Sequence, residues 1–268
     1  MSSKYRVPSS EQNASVWRPE QYEKFRDERS APFFDLMALV RPVPGGRVLD
    51  LGCGTGELTR ALHEYTGAAE TVGVDNSETM LAKSAAFAGG GLRFELGEVE
   101  SWSVEGGFDL VFSNAALQWA NGHAELFPRL FRAVGPGGQV AIQMPANNDH
   151  PSHMTAHQVA GQEPFRTYLG GYVRSWPVMA PEWYAELLDR EGFAEQSVRL
   201  QVYGHRLASR EGVVEWVRGT LLTDYERRMT PEQYAEFLDA YRGKLMPLLE
   251  DREPYFYAFK RVLIWGRR

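Results

Sequence analysis

The fold of this 268-residue chain follows from one stretch, Val48-Leu49-Asp50-Leu51-Gly52-Cys53-Gly54-Thr55-Gly56. It begins as a short apolar run, passes through glycines spaced by two, and leads into a segment with helical periodicity. Glycine allows the backbone to bend sharply and a ligand to approach it closely. A dinucleotide fingerprint would require glycine at position 57, but Glu57 places a carboxylate where a pyrophosphate would bind. The bend is therefore predicted to bind a ligand without a pyrophosphate.

Short β-rich runs alternate with helical patterns between Arg47 and Pro145, which is typical of an α/β fold with a parallel sheet covered by helices. The predicted strands are Arg47–Leu51, Thr71–Asp75, Leu92–Glu95, Asp109–Ser113 and Val140–Met144. The buried face of the helix after the bend is predicted from residues at helical spacing, namely Leu58, Ala61, Leu62 and Tyr65. The segment Gly135–Gly138 predicts a turn that precedes the fifth strand.

The pattern changes after Pro145, where helices dominate. They are predicted near His150–Leu169, from Pro181 through Tyr184, Leu187 and Leu188, near Arg210–Tyr225 and at Pro231–Leu249. Thr230 and Gln233 have the spacing of a capping box at the start of the last helix. Two further strand-like runs are Val198–Leu207 and Tyr255–Trp265. We expect these helices to cover the carboxyl ends of the strands, where open α/β sheets bind ligands.

Composition and charge restrict the partners. Lys and Arg number 29 against 35 Asp and Glu, and the resulting net charge of −6 argues against a nucleic-acid partner. No apolar run approaches the ~20 residues of a membrane span, and residues 1–13 lack the apolar core of a signal peptide. The single cysteine, Cys53, cannot form an intramolecular disulfide, as expected in a reducing compartment. We expect a cytoplasmic protein that acts on a small molecule without binding nucleic acid or membrane, and its oligomeric state stays open.

Two carboxylates stand near the predicted bend. Asp50 precedes the first glycine by two residues and suits a cationic ligand group, because a carboxylate accepts strong hydrogen bonds from an ammonium. Asp75 ends the second strand, where an acid can accept from both hydroxyls of a ribose. Either residue alone could simply cap the next helix. Together they predict a nucleoside that carries an amino-acid-like cation.

These residues resemble the first motif of the class I S-adenosylmethionine-dependent methyltransferases, matched by Asp50, Gly52, Gly54 and Gly56. The resemblance covers the region from Arg47 to Pro145. It implies a Rossmann-like sheet of seven strands with an antiparallel last strand, formed by Tyr255–Trp265, and a helical cap. It also implies S-adenosylmethionine as the cofactor. The residues that it places around this cofactor are Asp50, Gly52, Gly54, Gly56, Asp75, Asn76, Met80, Glu98, Val99, Asn114 and Ala115.

A narrower likeness, from about Trp17 to Arg261, is to the trans-aconitate methyltransferases. It is carried by Trp17–Tyr22 with Phe25, Glu28 and Arg29, by Ser113–Trp119 with His123, by Gln143–Pro145 with Asn147, Pro151 and His153, and by Glu215–Thr220. The chain departs from the family pattern at Ala146, at Asn121-Gly122, and at Thr223-Asp224, where an Arg-Pro pair is expected. The likeness implies carboxyl O-methylation of an aconitate-like acid.

The pattern along the chain predicts how it is divided. Residues 1–30 form an N-terminal segment that is a candidate lid, and residues 31–268 form the methyltransferase domain. Its helical cap elements lie at about 150–192 and 209–250.

The acceptor decides which side chains the reaction needs. A carboxylate, with a pKa of roughly 4, is ionised at neutral pH and requires orienting groups but no general base. The candidates are Trp17, Tyr22, Gln143, His153 and Arg261. A hydroxyl acceptor would require a base, for which the candidates are His123, His153 and His205. Two alternatives stay open, a natural-product O-, N- or C-methyltransferase and a non-catalytic S-adenosylmethionine-binding protein, and no metal site is expected.

Overall fold

The computed structural model describes residues 26–102 and 107–268, with side chains from Ser30 onward. Its sheet has seven strands in the order β3-β2-β1-β4-β5-β7-β6. They are β1 Arg47–Leu51, β2 Glu70–Asp75, β3 Leu92–Leu96, β4 Phe108–Asn114, β5 Val134–Pro145, β6 Glu195–Leu207 and β7 Tyr255–Arg267. Strands β1 to β5 pair in parallel, whereas β7 is antiparallel to both β5 and β6. The predicted α/β class and the antiparallel last strand are confirmed.

Helices surround the sheet. They are α1 Arg26–Met37, α2 Glu57–Thr66, α3 Glu78–Ser84, α4 His123–Arg132, α5 Pro151–Ala160, α6 Phe165–Tyr168, α7 Pro181–Arg190, α8 Glu211–Arg218, α9 Thr223–Glu226 and α10 Pro231–Leu245. Two predicted helices are each divided in two, into α5 and α6 and into α8 and α9. Gly161 and Gly219 follow α5 and α8, and glycine is a poor helix former. The last predicted helix ends at Leu245 and continues only as a 3-10 turn.

The predicted turn at Gly135–Gly138 lies inside β5 rather than before it. Phe108 of β4 pairs with Val134, but Leu110 pairs with Gln139. Two steps along β4 therefore correspond to five along β5, and the extra residues form a bulge. The prediction was correct that the chain bends there and wrong about where the strand begins.

The predicted buried face of α2 was right at Leu62 and wrong at Tyr65. Tyr65 is 38% exposed, and the buried residues are Thr59, Leu62, His63 and Thr66. The hydroxyl of Thr59 donates to Asp50, His63 Nδ1 lies 2.8 Å from Thr71 Oγ1, and the hydroxyl of Thr66 donates to the Leu62 carbonyl. Satisfied hydrogen bonds permit polar side chains to be buried, so the helix turns a partly polar face to the sheet.

Two cores cover the two faces of the sheet. On one face, α4 and α7 pack through aromatic and leucine side chains that include Phe127, Phe131, Tyr184 and Leu188. On the other face, α1 and α2 pack through residues that include Phe33, Leu36 and Leu62. The sheet is therefore buried on both sides, as parallel strands require.

A third core lies beyond the carboxyl end of β5. The last β5–β7 pair is Pro145 with Arg261, but β6 and β7 remain paired as far as Leu207 with Tyr255. Five helices, called the cap below, pack on this extension of the β6–β7 strand pair around residues such as Trp216, and they are α5, α6, α8, α9 and α10. The strand pair thus holds the cap at the edge of the sheet where its parallel strands end.

A stability test follows from the start of α10. Thr230 Oγ1 accepts from the Gln233 N–H, and Gln233 Oε1 accepts from the Thr230 N–H, so the predicted capping box is confirmed. We expect Thr230→Ala to lower the free energy of unfolding by about 1 kcal/mol, measured by urea denaturation. Thr230→Ser retains the hydroxyl and should remain near the wild type. Equal losses in both variants would contradict the role of the cap.

Candidate active site

The bend between β1 and α2 contains three glycines with positive φ that differ in their surroundings. A Cβ on Gly52 would lie 2.1 Å from the Ala116 Cβ, and one on Gly56 would lie 2.6 Å from the Phe94 ring. A Cβ on Gly54 would meet nothing within 4 Å. Protein packing therefore requires glycine at positions 52 and 56. Gly54 faces open space, where a ligand can approach the backbone.

The two predicted acids lie on either side of this bend. Asp75 Oδ2 accepts from the Gly54 N–H at 2.9 Å, and its Oδ1 accepts from the Ser77 N–H at 2.9 Å. The carboxylate is thus fixed in orientation, and each oxygen keeps a second lone pair for a ligand hydroxyl. Asp50 is only 3% exposed, and its Oδ2 accepts from the Thr59 hydroxyl at 2.7 Å.

Burial raises the pKa of Asp50 to about 7, although the hydrogen bond from Thr59 opposes this shift and the charge of Asp75 adds to it. A buried carboxyl with a raised pKa is ionised more readily when a cation binds beside it. Asp50 therefore has the electrostatic setting of a site for an ammonium group.

Four further residues that were predicted to surround the cofactor lie after β2 and β3. Asn76 Nδ2 donates to Glu98 Oε2 at 3.2 Å, so these two exposed side chains connect the strand ends. The Val99 carbonyl accepts from Arg129 Nη2 at 2.7 Å, while its N–H has no hydrogen bond to the residues that the structure describes. Met80 is half-buried in the first turn of α3.

The loop after β4 packs on the bend through Ala116. Asn114 pairs with Gln143 in the β4–β5 register. Ala115 has φ +54°, and within the described ranges it is the one non-glycine residue with a positive φ. Its N–H donates to the Gln143 carbonyl at 2.9 Å, and its carbonyl accepts from Gln118 Nε2 at 2.6 Å. These bonds stabilise a backbone conformation of the kind that is concentrated at ligand sites.

Asn114 Oδ1 is buried and accepts no hydrogen bond from any described group. A buried acceptor that lacks a donor costs free energy unless a ligand supplies one. The carboxyl end of β4 therefore holds a buried oxygen that a ligand donor could satisfy.

Three of the predicted acceptor-binding residues lie together at the end of β5. Arg261 is 5% exposed, and its Nη1 donates to Gln143 Oε1 at 3.4 Å. Its Cζ lies 5.0 Å from the Phe259 ring, whose centroid is 6.3 Å from that of His153. Gln143 is fully buried, and its Nε2 donates to no acceptor in the described structure.

Burial lowers the pKa of His153 to about 3, with smaller contributions from the neighbouring charges of His150 and Arg174. His153 is therefore neutral at physiological pH. Its Nδ1 lies 3.0 Å from Ser152 Oγ. It is a polar, uncharged member of the site and a weak base.

The other two histidines proposed as bases are held by the protein. His123 Nδ1 lies 2.8 Å from the Tyr184 hydroxyl, and its Nε2 lies 2.9 Å from the Leu117 carbonyl oxygen. His205 is buried with its ring centroid 4.4 Å from that of Trp216 in the core of the cap. Neither histidine is positioned for proton transfer.

The sequence analysis missed Thr59 and Arg174. Thr59 was overlooked because the predicted face of α2 contained only apolar residues. Arg174 lies between two predicted helices, and its Cζ is 4.2 Å from the centre of the Trp119 ring. The available signal was an arginine between two aromatic residues, Tyr172 and Trp176.

The direction of α1 relates the N-terminal segment to the site. Arg41, just after this helix, forms an ion pair with Glu195 at the start of β6. Within the helix, Asp35 Oδ2 accepts from the hydroxyl of Tyr203, near the other end of β6, at 2.7 Å. The helix therefore runs from the carboxyl edge of the sheet towards its amino edge. The predicted lid residues Trp17 and Tyr22 precede it and lie outside the described residues.

No metal centre or membrane helix occurs in the part of the chain that the structure describes. In residues 26–102 and 107–268, His, Cys, Asp and Glu side chains nowhere cluster in a group of three or more suited to a metal ion. No helix in these ranges has the length and hydropathy to cross a bilayer.

Comparisons with known proteins agree with this geometry. Residues 48–138 match the methyltransferase domain family. The trans-aconitate 2-methyltransferase of Deinococcus radiodurans is 44% identical over 259 residues, which cover 94% of this chain and 98% of that protein. The enzyme of the same name from Variovorax paradoxus is 38% identical, with coverage of 94% and 98%.

Solved structures share the fold at low sequence identity. The YcgJ protein of Bacillus subtilis has a TM-score of 0.57 and 18% identity, covering 89% of this chain and 98% of its own. Phosphoethanolamine N-methyltransferase 2 of Haemonchus contortus, in complex with S-adenosyl-L-methionine, has a TM-score of 0.52 and 21% identity, covering 88% of this chain and 52% of its own.

The fold and the site together define an S-adenosylmethionine-dependent methyltransferase. Within that class, identity of up to 44% over nearly the full length shows that the chain belongs to the trans-aconitate 2-methyltransferase family.

The glycine bend provides a matched pair of substitutions. Gly54→Ala introduces only backbone strain, so we expect a loss of about 1–2 kcal/mol in the free energy of unfolding. Because its Cβ enters the open side of the bend, we also expect this variant to bind S-adenosylhomocysteine at least roughly tenfold more weakly. Gly56→Ala adds a collision with Phe94 and should lose about 1–3 kcal/mol more. Calorimetric titration and denaturation measure both effects. Wild-type ligand affinity in Gly54→Ala would show that the ligand binds elsewhere.

The raised pKa of Asp50 predicts a pH dependence of ligand binding. If the ionised carboxylate receives the amino group, binding below pH 7 must expel a proton, so affinity should rise with pH. We expect S-adenosylhomocysteine to bind roughly tenfold more weakly at pH 6 than at pH 8, with proton release in calorimetry. Asp50→Asn should bind more weakly and lose this dependence. The same pH profile in both proteins would refute the assignment of the amino group to Asp50.

Proposed function

We propose that this enzyme transfers a methyl group from S-adenosylmethionine to a carboxylate oxygen of trans-aconitate or a closely similar acid. The relatives at 37–44% identity bear the name of that activity. The structural observation that carries the proposal is the buried Arg261–Gln143 pair at the end of β5, because a guanidinium beside an amide donor is suited to a carboxylate.

The residues around the bend suit the cofactor, which supplies an electrophilic methyl group on a sulfonium. Asp50 and Asn114 offer acceptors for its amino group, and Asp75 offers two oriented oxygens for its ribose. Gly54 leaves open the space that the ligand needs. The remaining predicted contacts are Gly52, Gly56, Asn76, Met80, Glu98, Val99 and Ala115.

Methyl transfer requires alignment of the acceptor oxygen, the methyl carbon and the sulfur, so the protein contributes mainly by orientation and by excluding water. Arg261 and Gln143 Nε2 would hold the acceptor carboxylate, and His153 would line the same site as a neutral group. Residues 1–30 remain the proposed lid, with Trp17 and Tyr22 on it. The entry of α1 from the carboxyl edge supports this placement.

Of the candidate histidines, which all lie in the described part of the chain, none is poised as a base, and this favours a carboxylate over a hydroxyl acceptor. His153 is neutral but too weakly basic to accept a proton readily, and His123 is hydrogen-bonded at both nitrogens. An ionised carboxylate has no proton to lose. We further propose a cytoplasmic enzyme with a small-molecule acceptor and neither a nucleic-acid nor a membrane partner. The net charge of −6 supports the lack of a nucleic-acid partner.

Incubation with labelled S-adenosylmethionine and a panel of tricarboxylates, dicarboxylates, phenols and amines tests the proposal. We expect label in base-labile esters of trans-aconitate, and we expect Arg261→Met to lower kcat/KM for this acid by roughly 100-fold, as for a lost charge-assisted contact. Arg267→Met removes a partly exposed arginine from the same strand and serves as the control. Transfer only to phenols or amines would overturn the acceptor, and absence of any turnover would favour a binding protein.

A further inference from the structure

The segment 169–180, called the Arg174 loop below, connects α6 of the cap to α7. Gly170 and Gly171 begin it with φ +60° and +79°. Ser175 Oγ donates to Asn121 Oδ1 at 2.8 Å, and the Met179 N–H donates to the Tyr184 hydroxyl at 3.0 Å. Before Arg174, the Tyr172 hydroxyl donates to Asp224, so the loop is attached on both sides of Arg174.

Arg174 has a half-buried side chain above the ring of Trp119, with its Cζ 4.2 Å from the ring centre. Its Nη1 is fully enclosed and donates to no acceptor among residues 26–102 and 107–268. Burial lowers the pKa of its guanidinium, and the charge of Asp224 is the largest opposing influence. The setting is that of a desolvated cation that lacks a hydrogen-bonded anion.

Asp224 does not provide that anion. Its Oδ2 accepts from the Tyr172 hydroxyl, and its Oδ1 lies 3.5 Å from Arg228 Nη2. No carboxylate of the described ranges forms an ion pair with Arg174. A buried guanidinium without a partner costs free energy, and a bound carboxylate that accepts two parallel N–H bonds would offset that cost.

Aromatic contacts connect Arg174 to the acceptor site. Trp176, two residues further along the loop, has its ring centroid 5.7 Å from that of His153. On its other side, His153 lies beside Phe259, which Arg261 overlies. The charge of Arg174 also acts on His153 and helps to lower its pKa, so Arg174 lies near this residue. Both arginines are therefore neighbours of the uncharged His153 environment, Arg261 through Phe259.

We propose that Arg174, stacked on Trp119, binds one carboxylate of the acceptor while Arg261 and Gln143 bind another, so that the enzyme selects acids with at least two carboxylates. This inference rests on the proposed carboxylic-acid acceptor. The Arg174 loop is already attached to Asn121 and Tyr184, so the protein holds Arg174 in place before a ligand binds. An acid with a single carboxylate can engage only one of them.

The test compares Arg174→Met with Arg228→Met, a matched control in which an exposed arginine also lies over an aromatic ring, that of Tyr172. We expect Arg174→Met to raise KM for trans-aconitate by roughly 10- to 100-fold. Its ratio of kcat/KM for trans-aconitate over crotonate, a monocarboxylate, should fall to a similar degree. Arg228→Met should retain both values, and S-adenosylhomocysteine affinity should be unchanged in both variants.

Arg174→Lys separates a binding role from a structural one, because it keeps the charge and loses the planar fork. We expect an intermediate KM and a wild-type unfolding midpoint. An unchanged KM in Arg174→Met, with the wild type active on trans-aconitate, would overturn this inference and leave the proposed function intact. Failure of the wild type to methylate or bind any acid would overturn both.

Discussion

Close packing of the β1–α2 bend is the constraint on which the site depends. A Cβ on Gly52 would collide with Ala116 and one on Gly56 with Phe94, so close packing fixes the backbone between them, where Gly54 faces open space and its N–H donates to Asp75. From Ala116 the contacts continue through Asn114, which pairs with Gln143, and from Gln143 to Arg261. The site is thus positioned strand by strand in the order β2-β1-β4-β5-β7, and an error at the bend would displace every later member.

The same strand order separates the charges. The acids Asp50 and Asp75 lie on β1 and β2, whereas the buried cation Arg261 lies on β7 and Arg174 on the loop beside it. A donor that carries a cationic amino group and a sulfonium is complementary to the first side, and an anionic acceptor to the second. Methyl transfer between them would need alignment rather than acid–base chemistry. The three candidate histidines agree with this, because His153 is neutral, His123 is hydrogen-bonded and His205 is buried in the core of the cap.

Local patterns predicted much of this fold. The strand bounds of β1 to β4 were right within one residue, because short apolar runs between glycines and acids are unambiguous. The face of α2 was only partly predicted, with Leu62 buried as expected. Periodicity counts apolar residues, whereas Thr59, His63 and Thr66 are buried with their hydrogen bonds satisfied. Arg174 was missed because the contact that marks it as a candidate, its stacking on the ring of Trp119, joins residues that are distant in sequence. Among the predicted site residues, the structure brings Gln143, His153 and Arg261 together, but Trp17 and Tyr22 lie outside its described part.

A crystal structure with S-adenosylhomocysteine and trans-aconitate bound together would show directly whether the nucleoside binds at the β1–α2 bend and the acid at the end of β5. We expect the ribose hydroxyls on Asp75, the amino group between Asp50 and Asn114, and the acid on the side of Arg261. This expectation would be contradicted if the nucleoside lay away from the open side of Gly54, or if the acid bound where neither Arg261 nor Arg174 contacts it.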